Sequence, residues 1–230
     1  MKFSGLQKLT LLDYPEKMAC TVFTAGCNFR CPFCHNATLV NDINNEVVFE
    51  ENEILDFLNK RQGILEGVCI TGGEPLLHDD LTEFIKKVKE SGFKVKLDTN
   101  GSFPNKLKYL VNNNLIDYVA MDIKNSKEKY SKTIDVKNFD ISSIEESINF
   151  LLQNKIEYEF RTTVVKEFHN LEDIENISLW IKGANKYFLQ NFVDSGNLIC
   201  DGLSAHEPET INKMRQIAQN NIQYVGVRGI

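Results

Sequence analysis

Short apolar runs recur along the chain of 230 residues, and segments with the spacing of amphipathic helices separate most of them. Six such runs occupy 19–26, 67–75, 94–101, 117–124, 158–165 and 186–192. Runs that are apolar on both faces are typical of strands buried in a parallel sheet. The last five strands are predicted to end near residues 71, 98, 122, 163 and 190, mostly 24 to 27 residues apart. That interval is about the length of one βα unit, so the pattern predicts an α/β fold.

The intervening segments predict the helices and their ends. "DDLTEFIKKVKESG" has one apolar face, with Asp79 or Asp80 as its N-cap and Gly92 just beyond its last turn. "SSIEESINFLLQNK" predicts a helix that opens with a capping box from Ser143 to Glu146. One interval of 41 residues leaves room for an extra short helix around "SKEKYSKTI". Further helices are predicted in "ENEILDFLNKRQ", "NLEDIENISLWIKGA" and "EPETINKMRQIAQNN".

Six βα units are fewer than the eight of a closed TIM barrel. We therefore expect a partial (β/α)6 TIM-like barrel, open on one side, with right-handed crossovers. No linker, low-complexity tract or internal repeat is visible, so residues 1–230 are predicted to form a single domain. Ligands of such sheets bind at the carboxyl ends of the strands. The polar residues predicted at those ends are Cys27, Cys31, Cys34, Gly72, Gly73, Glu74, Asp98, Thr99, Asn100, Asp122, Lys124, Arg161 to Thr163, and Gln190.

Charge and apolar content exclude several kinds of partner. The chain has 26 Lys and Arg against 32 Asp and Glu, which gives a formal net charge of −6. Because no long basic run is present, nucleic acid and anionic membrane are poor candidates. The first residues lack an apolar signal segment, and no stretch approaches the ~18 apolar residues of a membrane span. We therefore predict a cytoplasmic protein, in which clustered cysteines indicate metal or redox chemistry.

Three of the six cysteines lie close together, in "AGCNFRCPFCHNA", as Cys27, Cys31 and Cys34. Thiolates select zinc, copper(I) or iron–sulfur clusters. A structural zinc site needs a fourth ligand, which would have to come from Cys20, Cys69 or Cys200. A 4Fe–4S cluster on three cysteines instead keeps one iron open to an exogenous ligand. The spacing favours this cluster over zinc or unligated thiols, and the other three cysteines are then interpreted as small buried apolar side chains.

The motif "CNFRCPFC", followed by "HN" and one βα unit later by "TGGEP", resembles the radical S-adenosylmethionine (SAM) superfamily. The opening "GLQKLTLLDYPEKMACTVFTAGCNFRCPFCHN" is similar to that of the anaerobic ribonucleoside-triphosphate reductase activating proteins. These are glycyl-radical-enzyme activases, related to the pyruvate formate-lyase activating enzymes. The resemblance continues through "DTNG", "MDIK" and "FLQNF" and so covers nearly the whole chain. One departure is Glu16, where the activase pattern "YPGK" has glycine.

The resemblance implies a role for each candidate residue. One 4Fe–4S cluster would be bound by Cys27, Cys31 and Cys34. The amino group of SAM would be held by Gly72, Gly73 and Glu74, with the carboxylate beside the ammonium. Further SAM contacts, in some relatives through a bound monovalent cation, are implied for Asp98, Thr99 and Asp122, with Lys124 as the basic member. The adenosine end would be framed by His35, Asn36 and Gln190.

Several of these residues also have a structural interpretation that the sequence leaves open. "TGGEP" and "DTNG" are each compatible with an ordinary turn. Asp122 and Lys124 could form a structural ion pair, and Asn36 could only cap its loop. Arg161 lies in a strand and needs a fixed anion, which either the SAM carboxylate or a structural aspartate would supply. The remaining histidines are interpreted as surface or cap residues without a metal role: His78, His169 and His206.

The function implied is that of a radical SAM activase, which cleaves SAM reductively at its cluster and generates a glycyl radical on a partner enzyme. The partner expected first is anaerobic ribonucleotide reductase, with flavodoxin or ferredoxin as external one-electron donor. No side chain outside the cluster and cofactor sites is assigned a catalytic role. One alternative is a radical SAM enzyme with a small-molecule substrate, such as a 7-carboxy-7-deazaguanine synthase relative. The other is a non-enzymatic electron-transfer or zinc-binding module, in which "GGEP", "DTNG" and "MDIK" have no purpose.

Overall fold

The computed structural model describes residues 1–41 and 49–229. Its strands are β1 Lys2–Phe3, β2 Gly5–Thr10, β3 Ala19–Thr24, β4 Phe49–Glu50, β5 Gly67–Gly72, β6 Lys94–Thr99, β7 Tyr118–Asp122, β8 Glu157–Val164, β9 Lys186–Asn191 and β10 Tyr224–Arg228. Its helices are α1 Ala37–Asn41, α2 Glu51–Asn59, α3 Leu81–Glu90, α4 Pro104–Asn112, α5 Tyr130–Thr133, α6 Ser142–Leu151, α7 Leu171–Trp180 and α8 Pro208–Ala218. Two 3₁₀ turns occupy Pro75–Leu77 and Lys127–Lys129.

Eight strands form one sheet in the order β10-β9-β8-β7-β6-β5-β3-β2. All neighbours are parallel except β2, which runs antiparallel to β3. Among the described residues β2 and β10 do not pair with each other, so the sheet stays open between them. The α/β class and the open, largely parallel sheet are confirmed. β1 and β4 form a separate antiparallel pair.

The six predicted strands are all present, but the sheet has a seventh parallel strand, β10, that the sequence did not indicate. Its sequence is short, and Gly226 interrupts its apolar pattern. The glycine is required because the Phe188 ring lies where a side chain would project, 2.5 Å from the position of a Cβ. The antiparallel edge strand β2 was also missed, since only one of its residues is buried.

The helices agree with their predicted apolar faces, and the start of one of them differs from prediction. In α3 the four apolar residues are buried, and Gly92 follows the end with φ +87°. Asp80 is the N-cap of α3, yet its side chain makes no capping hydrogen bond. The predicted capping box from Ser143 to Glu146 is wrong: α6 begins at Ser142, whose backbone N–H donates to the carboxylate of Asp140.

The interval between β7 and β8 holds the short helix α5, as predicted. In the described ranges no helix is both long and apolar enough to cross a bilayer.

Glu16 occupies a backbone position that favours glycine. Its φ is +61°, in the left-handed region where a Cβ is strained. This accounts for the glycine of the activase pattern at this position and gives the departure a physical meaning. The strain lies in the segment between β2 and β3, away from the cysteine loop.

Candidate cofactor site

A cavity of about 410 Å³ lies at the carboxyl ends of the parallel strands. Thirteen of the fourteen predicted site residues line it, and the exception is Glu74. The thirteen are Cys27, Cys31, Cys34, His35, Asn36, Gly72, Gly73, Asp98, Thr99, Asp122, Lys124, Arg161 and Gln190. The fold therefore brings residues that are up to 163 positions apart into one site, as parallel strands should.

The cysteine loop begins directly after β3 and is held by its own backbone. Gly26 has φ +80°, and its N–H donates to the carbonyl of Leu39 at 2.7 Å. The N–H of Cys34 donates to the carbonyl of Cys31 at 3.0 Å, which closes a tight turn between the two thiols. Burial raises the pKa of the Cys31 thiol to about 12.

The glycine pair after β5 lies against the cysteine loop at backbone distance. The N–H of Gly73 donates to the carbonyl of Thr24 at 2.9 Å, and the N–H of Glu74 donates to that of Gly26 at 2.8 Å. A Cβ on Gly73 would be 1.8 Å from the Gly26 oxygen, and one on Gly72 would be 2.3 Å from the Thr24 oxygen. Only glycine at both positions allows the two loops to meet.

Glu74 joins this loop to the next one along the sheet. Its carboxylate is fully buried and accepts hydrogen bonds from the N–H of Leu76 at 3.0 Å, the hydroxyl of Thr99 at 2.8 Å and the N–H of Asn100 at 2.6 Å. Burial raises the pKa of Glu74 to about 7, against the opposing effect of these donors. The side chain ties "TGGEP" to "DTNG" and does not line the cavity, so its predicted contact with the SAM ammonium stays a prediction.

Glu74→Ala should therefore destabilise the protein even without a ligand. Two buried N–H groups and a hydroxyl would lose their acceptor, and each such buried group costs roughly 1–3 kcal/mol. We expect the free energy of unfolding to fall by about 3 kcal/mol in denaturant titrations. The matched control is Glu83→Ala, which removes only a surface ion pair with Lys86 and should cost less than about 1 kcal/mol. Equal stability of the two variants would contradict this role.

Five charged side chains form a continuous network across β6, β7 and β8. Asp98 pairs with Lys96 and with Arg161, the latter at 3.1 Å, and Asp122 pairs with Arg161 at 2.9 Å and Lys124 at 3.0 Å. Burial alone would raise the pKa of both aspartates, but Arg161 and the two lysines hold both values below the usual range. Both structural interpretations of these residues are thus confirmed, namely the Asp122–Lys124 pair and an aspartate partner for Arg161.

The oxygen atoms of the predicted monovalent-cation site already have hydrogen-bond partners within the chain. Both carboxylate oxygens of Asp98 and both of Asp122 are already bonded to side-chain cations. The third predicted contributor, Thr99, donates its hydroxyl to Glu74 and accepts from the N–H of Gly101. An added cation would find its oxygen ligands already paired.

His35 lines the cavity and has an aromatic neighbour. His35 stacks on Phe192 with an interplanar angle of 15°, and its Nε2 lies 2.8 Å from the carbonyl of Val193. The Asn36 amide donates to the carbonyl of Gly72 at 2.9 Å, so it joins the cysteine loop to the glycine pair. A flat apolar surface with polar groups at its rim suits a heteroaromatic base such as adenine.

Ten further residues line the cavity, and sequence reasoning assigned none of them a ligand role: Gln7, Asp13, Thr21, Phe23, Phe29, Phe33, Val40, Thr71, Asn100 and Thr163. For some of them the sequence did offer a signal, because side chains two residues apart on a strand lie on the same face. Thr163 lies two residues beyond Arg161 on one face of β8, and Thr21 and Phe23 share one face of β3. Asn100 stood within "DTNG", and its amide lies 3.8 Å from the sulfur of Cys27.

Predictions for the residues outside the site are confirmed in part. Cys20 and Cys69 are buried, as predicted. Cys200 is exposed, so its predicted burial is wrong. It lies in the loop that follows β9, and its backbone N–H donates to the carbonyl of Pro32 in the cysteine loop. The prediction of a surface or cap position is also wrong for His169, which is 1% exposed. Its ring nitrogens bond to backbone groups of Val165 and Lys124, and tertiary packing of this kind leaves no local sequence signal.

A second chamber of about 390 Å³ opens on the side of the sheet that is not closed. It shares Asp13, Arg161 and Gln190 with the cofactor cavity. Its other walls are Leu12 and Pro15 before β3, Lys96 and Glu159 inside the sheet, and Arg228 at the end of β10. Leu12 is 88% exposed at its mouth. The two cavities therefore lie side by side and share part of their walls.

Comparison with known proteins identifies the family. The family model for the radical SAM superfamily matches residues 21–181. The chain belongs to the radical SAM superfamily. It is 34% identical over 239 residues to a Methanocaldococcus jannaschii protein that is named as a glycyl-radical enzyme activating enzyme. The aligned region covers 99% of this chain and 95% of the relative. A 7-carboxy-7-deazaguanine synthase of Clostridium acetobutylicum is 30% identical over 157 residues, or 66% of this chain and 67% of that one.

Among solved structures, a domain of a pyruvate-formate lyase-activating enzyme from Bacteroides vulgatus superposes with a TM-score of 0.57 at 18% identity. The superposition covers 71% of this chain and 99% of the domain, and it supports the fold alone. The chain is thus a radical SAM enzyme, and its superfamily uses a 4Fe–4S cluster and SAM.

The cysteine loop of this radical SAM enzyme fits a cluster better than a single metal ion. All three thiols face one cavity. Within the described ranges, however, no three His, Cys, Asp or Glu side chains are close enough to hold one ion. The superfamily uses a 4Fe–4S cluster, and the three thiols of this loop are the side chains that would bind it.

Proposed function

We propose that this radical SAM enzyme is a glycyl-radical-enzyme activase whose partner is anaerobic ribonucleoside-triphosphate reductase. The observation that carries the proposal is the second chamber, which lies against the cofactor cavity and shares Asp13, Arg161 and Gln190 with it as wall residues. Among the described residues the sheet is open between β2 and β10, and an open side suits a loop presented by a large folded partner. Full-length similarity to a relative named as an activating enzyme supports the same assignment.

A 4Fe–4S cluster held by Cys27, Cys31 and Cys34 would supply the one electron needed for reductive cleavage of the C5′–S bond of SAM, and the reaction proposed is removal of a hydrogen atom from a glycine of the partner. The chain's own residues position the reactants. Lys96, Arg161 and Lys124 outnumber Asp98 and Asp122, so the network carries one net positive charge beside the cavity and suits the methionine carboxylate. Phe29 and Phe33 line the same cavity and help exclude water from it.

Electrons have to come from outside the chain, and we assign this task to flavodoxin or ferredoxin. Only three of the six cysteines occur as a cluster motif, so the sequence offers no second group for an electron relay. A one-electron donor of low potential suits the reduction of a 4Fe–4S cluster, whose potential depends on its net charge, hydrogen bonds and exposure.

Anaerobic incubation of this enzyme with SAM, a low-potential reductant and anaerobic ribonucleotide reductase should give a glycine-centred EPR doublet on the reductase. The hydrogen atom comes from one glycine, so the doublet should disappear when that glycine is replaced by alanine. Release of 5′-deoxyadenosine and methionine should accompany the radical. Omission of SAM gives the blank.

A small-molecule radical SAM reaction is the second candidate, because a 7-carboxy-7-deazaguanine synthase is among the relatives. The side chamber, at about 390 Å³, is also of a size that a small ligand can fill. If the reductase stays EPR-silent while a purine or pterin precursor is turned over, the activase assignment is wrong. Activation of a different glycyl radical enzyme, tested in the same way, would retain the reaction and change only the partner.

A further inference from the structure

Each oxygen of the two carboxylates at the carboxyl ends of β6 and β7 accepts a hydrogen bond from a tethered cation. Lys96 and Arg161 bond the two oxygens of Asp98, while Arg161 and Lys124 bond the two oxygens of Asp122. The charges alternate along this row, which begins and ends with a lysine. Three tethered cations thus already neutralise two anions.

Lys96 is the unusual member of this row. Its side chain is 2% exposed, and it lies on the same face of β6 as Asp98. In register it stands between Cys69 on β5 and Tyr118 on β7, and its Nζ is 3.8 Å from the sulfur of Cys69. Burying an ammonium group is costly unless a carboxylate compensates it, so Lys96 and Asp98 depend on each other.

A sodium or potassium ion at this place would be repelled by its neighbours. Such an ion would be attracted by the two carboxylates but repelled by the three tethered cations, which outnumber them. An ion beside Asp98 and Asp122 would lie next to Lys96, Arg161 and Lys124 and would have to displace at least one of them. Each oxygen atom that such an ion would need already accepts a hydrogen bond from one of these three side chains.

We propose that the Lys96 ammonium is a built-in cation that fixes Asp98 for SAM binding and makes the site independent of added monovalent cations. Lys96 is then a positioning residue, because it acts on SAM through Asp98 and Arg161. The inference concerns only how SAM is bound, so it stands or falls separately from the choice of partner enzyme.

The test compares SAM affinity of the reconstituted full chain in potassium chloride, sodium chloride and tetramethylammonium chloride at equal ionic strength. Calorimetric titration gives the dissociation constant, and the unfolding midpoint of the iron-free chain in each salt gives an independent readout. The dissociation constant of SAM for the wild-type chain should differ by no more than about twofold among the three salts. In tetramethylammonium chloride the dissociation constant of SAM should be at least about tenfold higher for Lys96→Met than for wild type, because Asp98 loses a partner. Potassium or sodium should restore its affinity and raise its midpoint in a saturable manner.

Lys94→Met is the matched control. It removes the same charge from the same face of β6, but Lys94 is exposed and pairs with Asp117 instead. This variant should be indifferent to the choice of cation. A wild-type affinity that rises severalfold with potassium or sodium would overturn the proposal, and this arm needs no variant. So would a Lys96→Met variant whose affinity is unchanged, or is weakened equally in all three salts. If Lys96→Met does not fold, Lys96→Gln takes its place under the same criteria.

Discussion

Alanine at Cys27, Cys31 or Cys34 should abolish cluster binding. Anaerobically reconstituted wild-type chain is expected to carry about four iron and four sulfide, the content of one cube. Two thiolates cannot retain a cube that also needs an open iron for SAM, so each single variant should contain less than about one iron. Iron and sulfide analysis, with the EPR spectrum of the reduced protein, measures this directly.

Cys200→Ala is the most stringent control for this result. Cys200 is exposed, and its backbone is bonded to Pro32 between two of the predicted ligands. If proximity to the loop were sufficient for binding, Cys200 would contribute; we expect its variant to keep the full iron content. Cys20→Ala and Cys69→Ala should also keep it, because both thiols are buried in strands. One zinc and no iron in protein purified without oxygen would refute the cluster.

Among glycine-to-alanine substitutions, which each add one methyl group, Gly73→Ala should lower the stability of the protein the most. The new Cβ would lie 1.8 Å from the carbonyl oxygen of Gly26, and backbone atoms cannot move aside as a flexible side chain can. Relief of the clash breaks the hydrogen bonds that join this loop to Thr24 and Gly26. We expect a destabilisation of more than about 4 kcal/mol, or a fall in Tm of roughly 10 °C or more.

Gly92→Ala separates backbone strain from steric conflict. Gly73 does not have a positive φ, whereas Gly92 does, at +87°, and no neighbouring side chain or strand lies within 4 Å of the position of a Cβ on Gly92. Its replacement should cost about 1–2 kcal/mol from the left-handed conformation alone. Circular dichroism melts of the two variants side by side make the comparison. Similar melting of Gly73→Ala and wild type would show that the two loops do not meet as described.

The sequence was informative wherever a residue's position along a strand determined its place. Parallel strands bring their carboxyl ends to one edge, so Asp98, Asp122 and Arg161 could be placed in one site before their contacts were known. Lys96 could not be placed in this way. A lysine within an apolar run gives no sign of whether it reaches solvent or an internal carboxylate, and only the neighbouring strands decide this.

Side-chain direction in turns was the other limit. Glu74 follows two glycines, and whether its carboxylate enters the cavity or turns toward "DTNG" depends on backbone angles that a sequence does not reveal. The start of α6 shows the same limit on a smaller scale. Asp140 and Ser143 are both good capping residues, and the turn that brings Asp140 to the N–H of Ser142 decides between them.

The order of the strands in the sheet has a consequence for biosynthesis. From β3 to β10 the spatial order follows the chain order, so each strand that leaves the ribosome adds to the free edge of those already made. The cysteine loop, the glycine pair, Glu74 and Asn100 all lie within the first 100 residues. Asp122, Arg161 and Gln190 arrive later. The thiols and the first predicted SAM groups are therefore encoded upstream of the last ones, and a nascent chain presents its thiols before its predicted SAM site is complete.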